Sequence, residues 1–300
     1  METRMMKIGV IGISGGWSSE QLADAVEKKT GFRLIVDFEN LLLDLDTGTV
    51  WSGGVDLSSL DALMVKKIGA QYSPALLDRL DILRFLQGKG VPVFSPPDRI
   101  MGVLNRLSCT ITLRNGKIPM PPTIITENVD LGLKAVETYK EAVFKPMFSS
   151  KARGMEVISP GLGAREKIEN FAKKHGMMYI QKKIDFGRQD LGIVFLGGRY
   201  LTTYARCARG DSWNTTIRSG GEYKPFDPSL ELIALAQKAQ SLFGLDFTCV
   251  DVAQTPDGPV VFEVSAFGGF RGIHMARGMN AADLYVTYIQ EQLDKGLITY

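Results

Sequence analysis

Two acidic side chains stand inside runs that otherwise read as buried strand. Asp251 lies in Thr248-Cys249-Val250-Asp251-Val252-Ala253-Gln254, and Glu263 in Val260-Val261-Phe262-Glu263-Val264-Ser265. Apolar, β-branched runs flanking Pro256-Asp257-Gly258 predict a β-hairpin. With Asp257 as the centre of the turn, Asp251 precedes it by six residues and Glu263 follows it by six. The carboxylates then face each other across the ladder, with Cβ atoms about 5 Å apart. Like charges so placed repel, and apolar neighbours raise the cost. A cation between them, protonation of one, or full exposure to water resolves the conflict. A hard divalent cation such as Mg²⁺ is the economical solution, because carboxylate oxygens are its preferred ligands. Ser265, two residues past Glu263, shares its strand face and offers a hydroxyl as a weak third ligand.

Mg²⁺ held by few carboxylates completes its shell with phosphate and water, so cations for a phosphate should be present. Lys145 ends the apolar run Ala142-Val143-Phe144, and Ser149-Ser150-Lys151-Ala152-Arg153-Gly154 follows. That small, polar, basic loop suits phosphate oxygens, although surface loops share its composition. Arg206, Arg209, Arg218 and Arg271 flank Asn214-Thr215-Thr216 and Ser219-Gly220-Gly221. They can clamp a carboxylate or a γ-phosphate, or stand as solvated strand ends. Gly9, Gly12, Gly15 and Gly16 do not form the dinucleotide fingerprint, and no P-loop motif occurs, so this first cluster reads as a tight turn at a strand end.

The elements that position these groups follow from periodicity. Buried strands are expected at 7–13, 32–38 and 60–66, with Val91-Pro92-Val93-Phe94 beyond them, and helices at 18–29 and 76–86. Strands separated by helices imply a parallel αβ layer. One continuous helix is expected from Arg99 to Arg114, and Pro119-Met120-Pro121-Pro122 opens a new unit. Strands at 123–126, 141–146, 155–158 and 177–184 surround helices near 130–140 and 164–175. Strands at 191–196 and 199–206, a helix at 229–243, the hairpin and a last helix after Ala281 complete the chain. The fold class expected is an N-terminal parallel α/β layer at 1–104, followed by two α+β lobes at 105–181 and 182–300.

Three hundred residues correspond to about two domains. With 45% apolar and 23% charged residues the chain can bury a core, which excludes disorder as its main character. Thirty-five basic against 33 acidic residues leave +2, too balanced for nucleic-acid binding by bulk charge, while a local basic cleft for a small anion stays open. No apolar run approaches the roughly 18 residues needed to cross a membrane. The apolar stretch after Arg4 and Lys7 is short and ends in Ser14-Gly15-Gly16, so it reads as a strand and not a secretory signal. Cys109, Cys207 and Cys249 lie far apart without a CxxC pair, against a disulfide framework or thiolate zinc site and in favour of a reducing cytoplasm. His175 falls at an expected helix C-terminus, where a cation suits the dipole. That leaves His274 alone for any Ser-His-Asp chemistry.

Read in order, the residues form a series that resembles ATP-grasp enzymes, nearest to RimK-like carboxylate–amine ligases, over about Asn105 to Ile273. The elements are Ile118-Pro119-Met120-Pro121-Pro122-Thr123, Val143-Phe144-Lys145-Pro146, Tyr179-Ile180-Gln181-Lys182-Lys183-Ile184, Asp190-Leu191, Arg206, Asn214 to Gly221, Val250-Asp251-Val252 and Glu263-Val264-Ser265. A narrower resemblance is to the ATP-grasp member of a bacterial operon system that contains HPr-kinase-related proteins. The resemblance implies two lobes gripping ATP. Lys145, Arg106 and Lys151 would then meet the phosphates. Backbone groups of Lys182 and Lys183 would hold adenine beside Ile184, and Asp190 would meet the ribose. Asn214, Thr215 and Thr216 would line the phosphate end. Asp251, Glu263 and Ser265 would hold magnesium (one or two ions, with manganese able to substitute). Arg206 would stabilise the transferring phosphoryl group, with Arg218 as a second catalytic cation. The implied reaction joins a small-molecule or peptide carboxylate to an amine through an acyl phosphate, without a nucleic-acid or membrane partner, in a homo-oligomer. The sequence departs from the family pattern at Ser265 for Asn, Gly192 and Asn214 for Arg, Arg106 for Lys, and in a phosphate loop that keeps only Gly154. Those departures leave two rivals: a kinase that stops at phosphorylation, and a nucleotide-binding regulator without turnover.

Overall fold

The structure is a computed structural model that describes residues 5–150, 152–209 and 214–296. Its first layer is a four-stranded parallel sheet in the order Ile35–Val36, Ile8–Ile11, Ala62–Val65, Val93–Phe94. Parallel neighbours need long crossovers, and the helices Trp17–Thr30 and Ala75–Gly88 supply two of them. The first of these buries Leu22, Ala23, Ala25 and Val26, with about 1.5–3 kcal/mol for each large apolar side chain. It stops at Gly31, whose φ of 74° only glycine adopts at little cost.

Two features of this region differ from expectation. A three-stranded antiparallel sheet, Leu41–Asp44, Thr49–Ser52 and Val55–Asp56, fills the second crossover. Its tight turn uses Gly53 and Gly54, both at positive φ, which suits a two-residue hairpin. The helix expected from Arg99 to Arg114 is broken into Pro97–Leu104 and Arg106–Asn115. Asn105 is extended between them, and its side chain accepts from the backbone N–H of Leu107 and Ser108. A local side-chain acceptor here ends one helix and caps the next, and it places Arg106 at a helix start.

The middle of the chain forms an antiparallel sheet ordered Glu156–Ile158, Ala142–Lys145, Met178–Lys182, Thr123–Thr126, with helices Val129–Tyr139 and Ala164–His175. Phe144, Ile168, Phe171, Met178 and Ile180 give it a core of its own. His175 ends a helix as expected, but its imidazole packs on Phe171 with ring centroids 4.5 Å apart. Burial, then Lys174, push its pKa down against the pull of Glu156.

The last third is a five-stranded antiparallel sheet ordered Glu222–Pro225, Arg199–Cys207, Gln189–Leu196, Phe247–Thr255, Gly258–Ser265, with helices Leu230–Ser241, Phe270–Arg277 and Ala281–Asp294. The strand Glu222–Pro225 and the helix Phe270–Arg277 were not anticipated. Leu63 and Val65 of the first sheet share a core with Leu191, Ile193 and Val250, and Ile8 and Val10 share another with Phe247, Phe270 and Tyr285. The first and last thirds are therefore one base. Helix Arg106–Asn115, expected to open the central lobe, buries Cys109 and Leu113 in that base. No helix of the described residues is long and apolar enough to cross a membrane.

Candidate active site

The hairpin that carries the two acids closes through a two-residue loop, Pro256-Asp257, with Thr255 opposite Gly258. A three-residue turn centred on Asp257 is not formed. Continued without interruption, this register would set Asp251 against Phe262. A bulge between Asp251 and Val252 adds one residue to the second strand and brings Asp251 opposite Glu263. The expected pair exists, but a bulge makes it.

Asp251 is the more buried of the two, 16% exposed at the side chain against 44% for Glu263. Burial raises the Asp251 carboxyl well above the usual carboxylate range. Glu263 and Asp190 push it the same way, and the Arg206 guanidinium opposes them. Two arginines compensate the acids. Arg206 reaches Asp251 at 3.0 Å. Arg106 reaches Glu263 at 3.2 Å and also donates to the Pro146 carbonyl and the Ser149 hydroxyl, so it ties the acid to the central lobe.

Register places the surrounding groups. Asp190 opposes Arg206, Gly192 opposes both Tyr204 and Asp251, and Tyr223 opposes Arg206 on the far side. Because side chains alternate along strands, Tyr204 and Arg206 share one face with Asp190. Arg206 donates through Nε and Nη2 to Asp190, and the Thr215 hydroxyl donates to the other Asp190 oxygen. Asp190, expected at the ribose, thus has its carboxylate turned to Arg206 and Thr215. The guanidinium is held firmly charged by the two carboxylates beside it.

Gly192, a departure from the pattern the sequence resembles, has a physical reason. A Cβ there would lie 2.7 Å from Cε2 of the Tyr204 ring, and Cβ atoms at Gly269 and Gly272 would also press on that ring. Tyr204 occupies the space an Arg would need. Gly192→Ala should lower the unfolding free energy by about 1–3 kcal/mol through overpacking. Urea unfolding checks this, and unchanged stability would mean the ring is loosely seated.

On the central lobe, Lys145 donates to Gln181 at 2.6 Å, and its Nζ lies 5.5 Å from the Phe262 ring centroid. Burial, then Arg106, lowers its pKa to about 7, against the pull of Glu263. The backbone N–H groups of Lys182 and Lys183 are donated to Pro122 and Glu141, and Ile184 follows the strand end. Asn214 accepts from Thr216 through its side-chain oxygen. Ser265 opposes Cys249, and its hydroxyl accepts from Phe267 N at 3.5 Å. All of these line one cavity of about 1020 Å³ between central lobe and base. Lys151 lies outside the described residues. Arg218 sits in the turn Ile217–Ser219, and its side chain lies outside the described residues as well.

Trp17, Lys66, Lys67 and Tyr204 are among the lining residues that the sequence reading did not single out. Lys66 had a usable signal, since it ends the apolar strand Ala62–Val65 as Lys145 ends its own.

Comparison with known proteins agrees with this geometry. A RimK-like ATP-grasp domain matches residues 104–289. The chain is similar to the tetrahydromethanopterin:α-L-glutamate ligase of Methanosarcina acetivorans, 27% identical, covering 96% of this chain and 100% of that protein. The ligase of the same name from Methanocaldococcus jannaschii is 25% identical over 93% of this chain and 96% of that protein. Among solved structures, the ATP-grasp ligase PsnB complexed with a phosphomimetic minimal precursor, Mg and ADP superposes with a TM-score of 0.73 at 14% identity. That match covers 96% of this chain and 99% of that one. D-cycloserine synthetase DcsG gives 0.70 at 16% identity over 95% and 99%. The solved structures share the fold, and the two curated relatives are ligases by name, which favours ligation over a kinase or a silent regulator. The chain therefore belongs to the RimK-like ATP-grasp family and is an ATP-dependent carboxylate–amine ligase.

Proposed function

We propose that Asp251 and Glu263 hold magnesium against the triphosphate of ATP, with the Ser265 hydroxyl as a weaker donor. The pairing of two acids through a bulge, in a cavity rich in lysine and arginine, carries this reading. The donor set fits: both acids offer hard oxygens. Among the described residues no cluster of three or more His, Cys, Asp or Glu gathers to form an all-protein cage, as expected where phosphate completes the shell. Magnesium would supply neutralisation of phosphate charge.

On the same reading Lys145 and Arg106 meet the phosphates, and Lys151, outside the described residues, is assigned to them from the sequence alone. Lys182, Lys183 and Ile184 border the adenine end, and Asn214 to Thr216 the phosphate end. Arg206 faces the transferring phosphoryl group, with Arg218 in support, and Asp190 with Thr215 fixes the Arg206 guanidinium. A carboxylate oxygen of the first substrate attacks the γ-phosphorus and ADP leaves. The amine nitrogen of the second attacks the acyl carbon, phosphate leaves, and the amine gives up a proton. Positioning and charge stabilisation account for the rate. The carboxylate belongs to a small molecule or a peptide. The central lobe and the base frame the site, and the unpaired cysteines support a reducing cytoplasm.

Lys145→Met should weaken Mg–ADP binding at least about tenfold, the scale of one charge-assisted hydrogen bond. The ammonium loses its proton near pH 7, so its contribution is complete below that pH and declines as pH rises. Wild-type affinity should fall by up to about tenfold per pH unit above 7 relative to the variant. Isothermal titration between pH 6 and 9 reads both effects, and equal affinity at every pH would remove Lys145 from the site. The reaction itself is tested by screening carboxylates against amines for ADP release, with mass spectrometry of products. The expected result is ADP formation that needs both partners and an amide product. A stable phosphorylated compound without amine would point to a kinase.

A further inference from the structure

Strand register sets three residues in one row across the last sheet. Gly192 lies between Tyr204 on one neighbouring strand and Asp251 on the other, and directly opposed residues share a face of the sheet. A side chain at the middle position would fill the gap. Glycine leaves it open, and the Tyr204 ring extends across it toward the strand Phe247–Thr255. The ring is closely confined. A Cβ at Gly192 would lie 2.7 Å from the Tyr204 hydroxyl oxygen, one at Gly272 would lie 2.7 Å from Cζ, and one at Gly269 would meet the hydroxyl itself. Tyr223 closes another side edge-on, with ring centroids 5.4 Å apart. A tyrosine buried in this way carries a hydroxyl that needs a partner.

The hydroxyl meets the sulfur of Cys249 at 3.6 Å. Cys249 stands two residues before Asp251 and shares its strand face. Its Sγ lies 3.7 Å from Oδ1 of Asp251, while Arg206 reaches Oδ2 at 3.0 Å. A thiol has one proton, and an ionised carboxylate only accepts. The thiol therefore donates to Asp251, and the Tyr204 hydroxyl donates to the sulfur. Each oxygen of Asp251 then has a donor of its own, and rotation of the carboxylate about its Cβ–Cγ bond is restrained from both sides. Cys249 and Tyr204 both line the cavity, and neither has a role in the nucleotide scheme above.

We infer that Cys249, seated by Tyr204, is a positioning residue for the divalent cation: its thiol proton holds Oδ1 of Asp251 and orients that carboxylate before the ion arrives. The inference rests on the magnesium reading and adds what fixes the more buried of the two acids. Groups that hydrogen-bond a ligating carboxylate set its direction, and their loss costs about ten- to a hundredfold in metal affinity. One thiol bond belongs at the lower end of that range, because sulfur is a weak donor.

The experiment measures AMPPNP binding to the full chain by isothermal titration, once with excess Mg²⁺ and once with a chelator. The ratio of the two affinities is the gain that the cation brings. Cys249→Ala should lower that gain about tenfold and leave the affinity without metal at the wild-type value. Cys249→Ser keeps a donor on a shorter arm and should restore part of the gain. Tyr204→Phe keeps the ring in its glycine cradle but removes the hydroxyl, and it should lower the gain in the same direction, which tests the relay even if Cys249→Ala fails to fold. A wild-type gain in Cys249→Ala or in Tyr204→Phe, no recovery in Cys249→Ser, or an equal loss of both affinities would overturn the inference. Asp251→Asn separates the two readings. An unchanged gain in that variant would remove the magnesium site itself and the inference with it. A lost gain there, beside a wild-type gain in Cys249→Ala, would count against the positioning role alone.

Discussion

Asp251→Asn and Glu263→Gln should each reduce magnesium-dependent ADP formation by about a thousandfold or more, a loss of several kcal/mol of charge stabilisation at the phosphates. The expectation follows from the hairpin. Its bulge sets the two carboxylates opposite each other, and neither substitution changes the size of the side chain. Folding should survive both changes. Asp251→Asn removes a charge whose carboxyl is already raised by burial, and Arg206 keeps Asp190 as a partner. Glu263→Gln removes the less buried acid, leaving Arg106 its bonds to Pro146 and Ser149. An ADP-release assay across a magnesium titration, with melting curves for both variants, reads the two consequences separately. Full turnover in both variants would refute the metal assignment.

Arg206→Met should damage both stability and catalysis, in ways that can be separated. The guanidinium lies between Asp190 and Asp251, both largely buried. Without it two acids share a buried face uncompensated, and breaking such a pair costs about 3–5 kcal/mol. On the role proposed for Arg206, loss of the cation that faces the transferring phosphoryl group should lower the rate by about a hundred- to a thousandfold. Adding Asp190→Asn to Arg206→Met should recover much of the stability and none of the rate. Urea unfolding and ADP release on both variants provide the readouts. Recovery of turnover in the double variant would reduce Arg206 to a strut.

The chemistry of this protein was more legible than its geometry. An acid buried within a valine-rich strand is costly, which singles out Asp251 in the sequence, and Glu263 follows from its place across the hairpin. The spacing around Asp257 is symmetrical, yet the chain uses a shorter loop and a bulge to reach the same pair. Composition does not distinguish these routes, because both place the same residues on the same strands. The break at Asn105 is hidden by apolar periodicity that runs through it, although the asparagine acceptor that caps the second helix is a local feature. Gly192 could be seen as a departure but not explained, since its reason is the ring of Tyr204 on the neighbouring strand. Lys66 carried a local signal at the end of its strand, but that it lines the same cavity as Lys145 depends on the strand order, which no local pattern encodes.

The central claim is most directly tested by a crystal structure of the full chain grown with AMPPNP and Mn²⁺, using anomalous scattering to locate the ion. The account predicts a manganese peak bound by oxygens of Asp251, Glu263 and the nucleotide phosphates, with Arg106 and Lys145 on those phosphates. An ion and triphosphate lodged elsewhere, with both acids still paired only to their arginines, would contradict it.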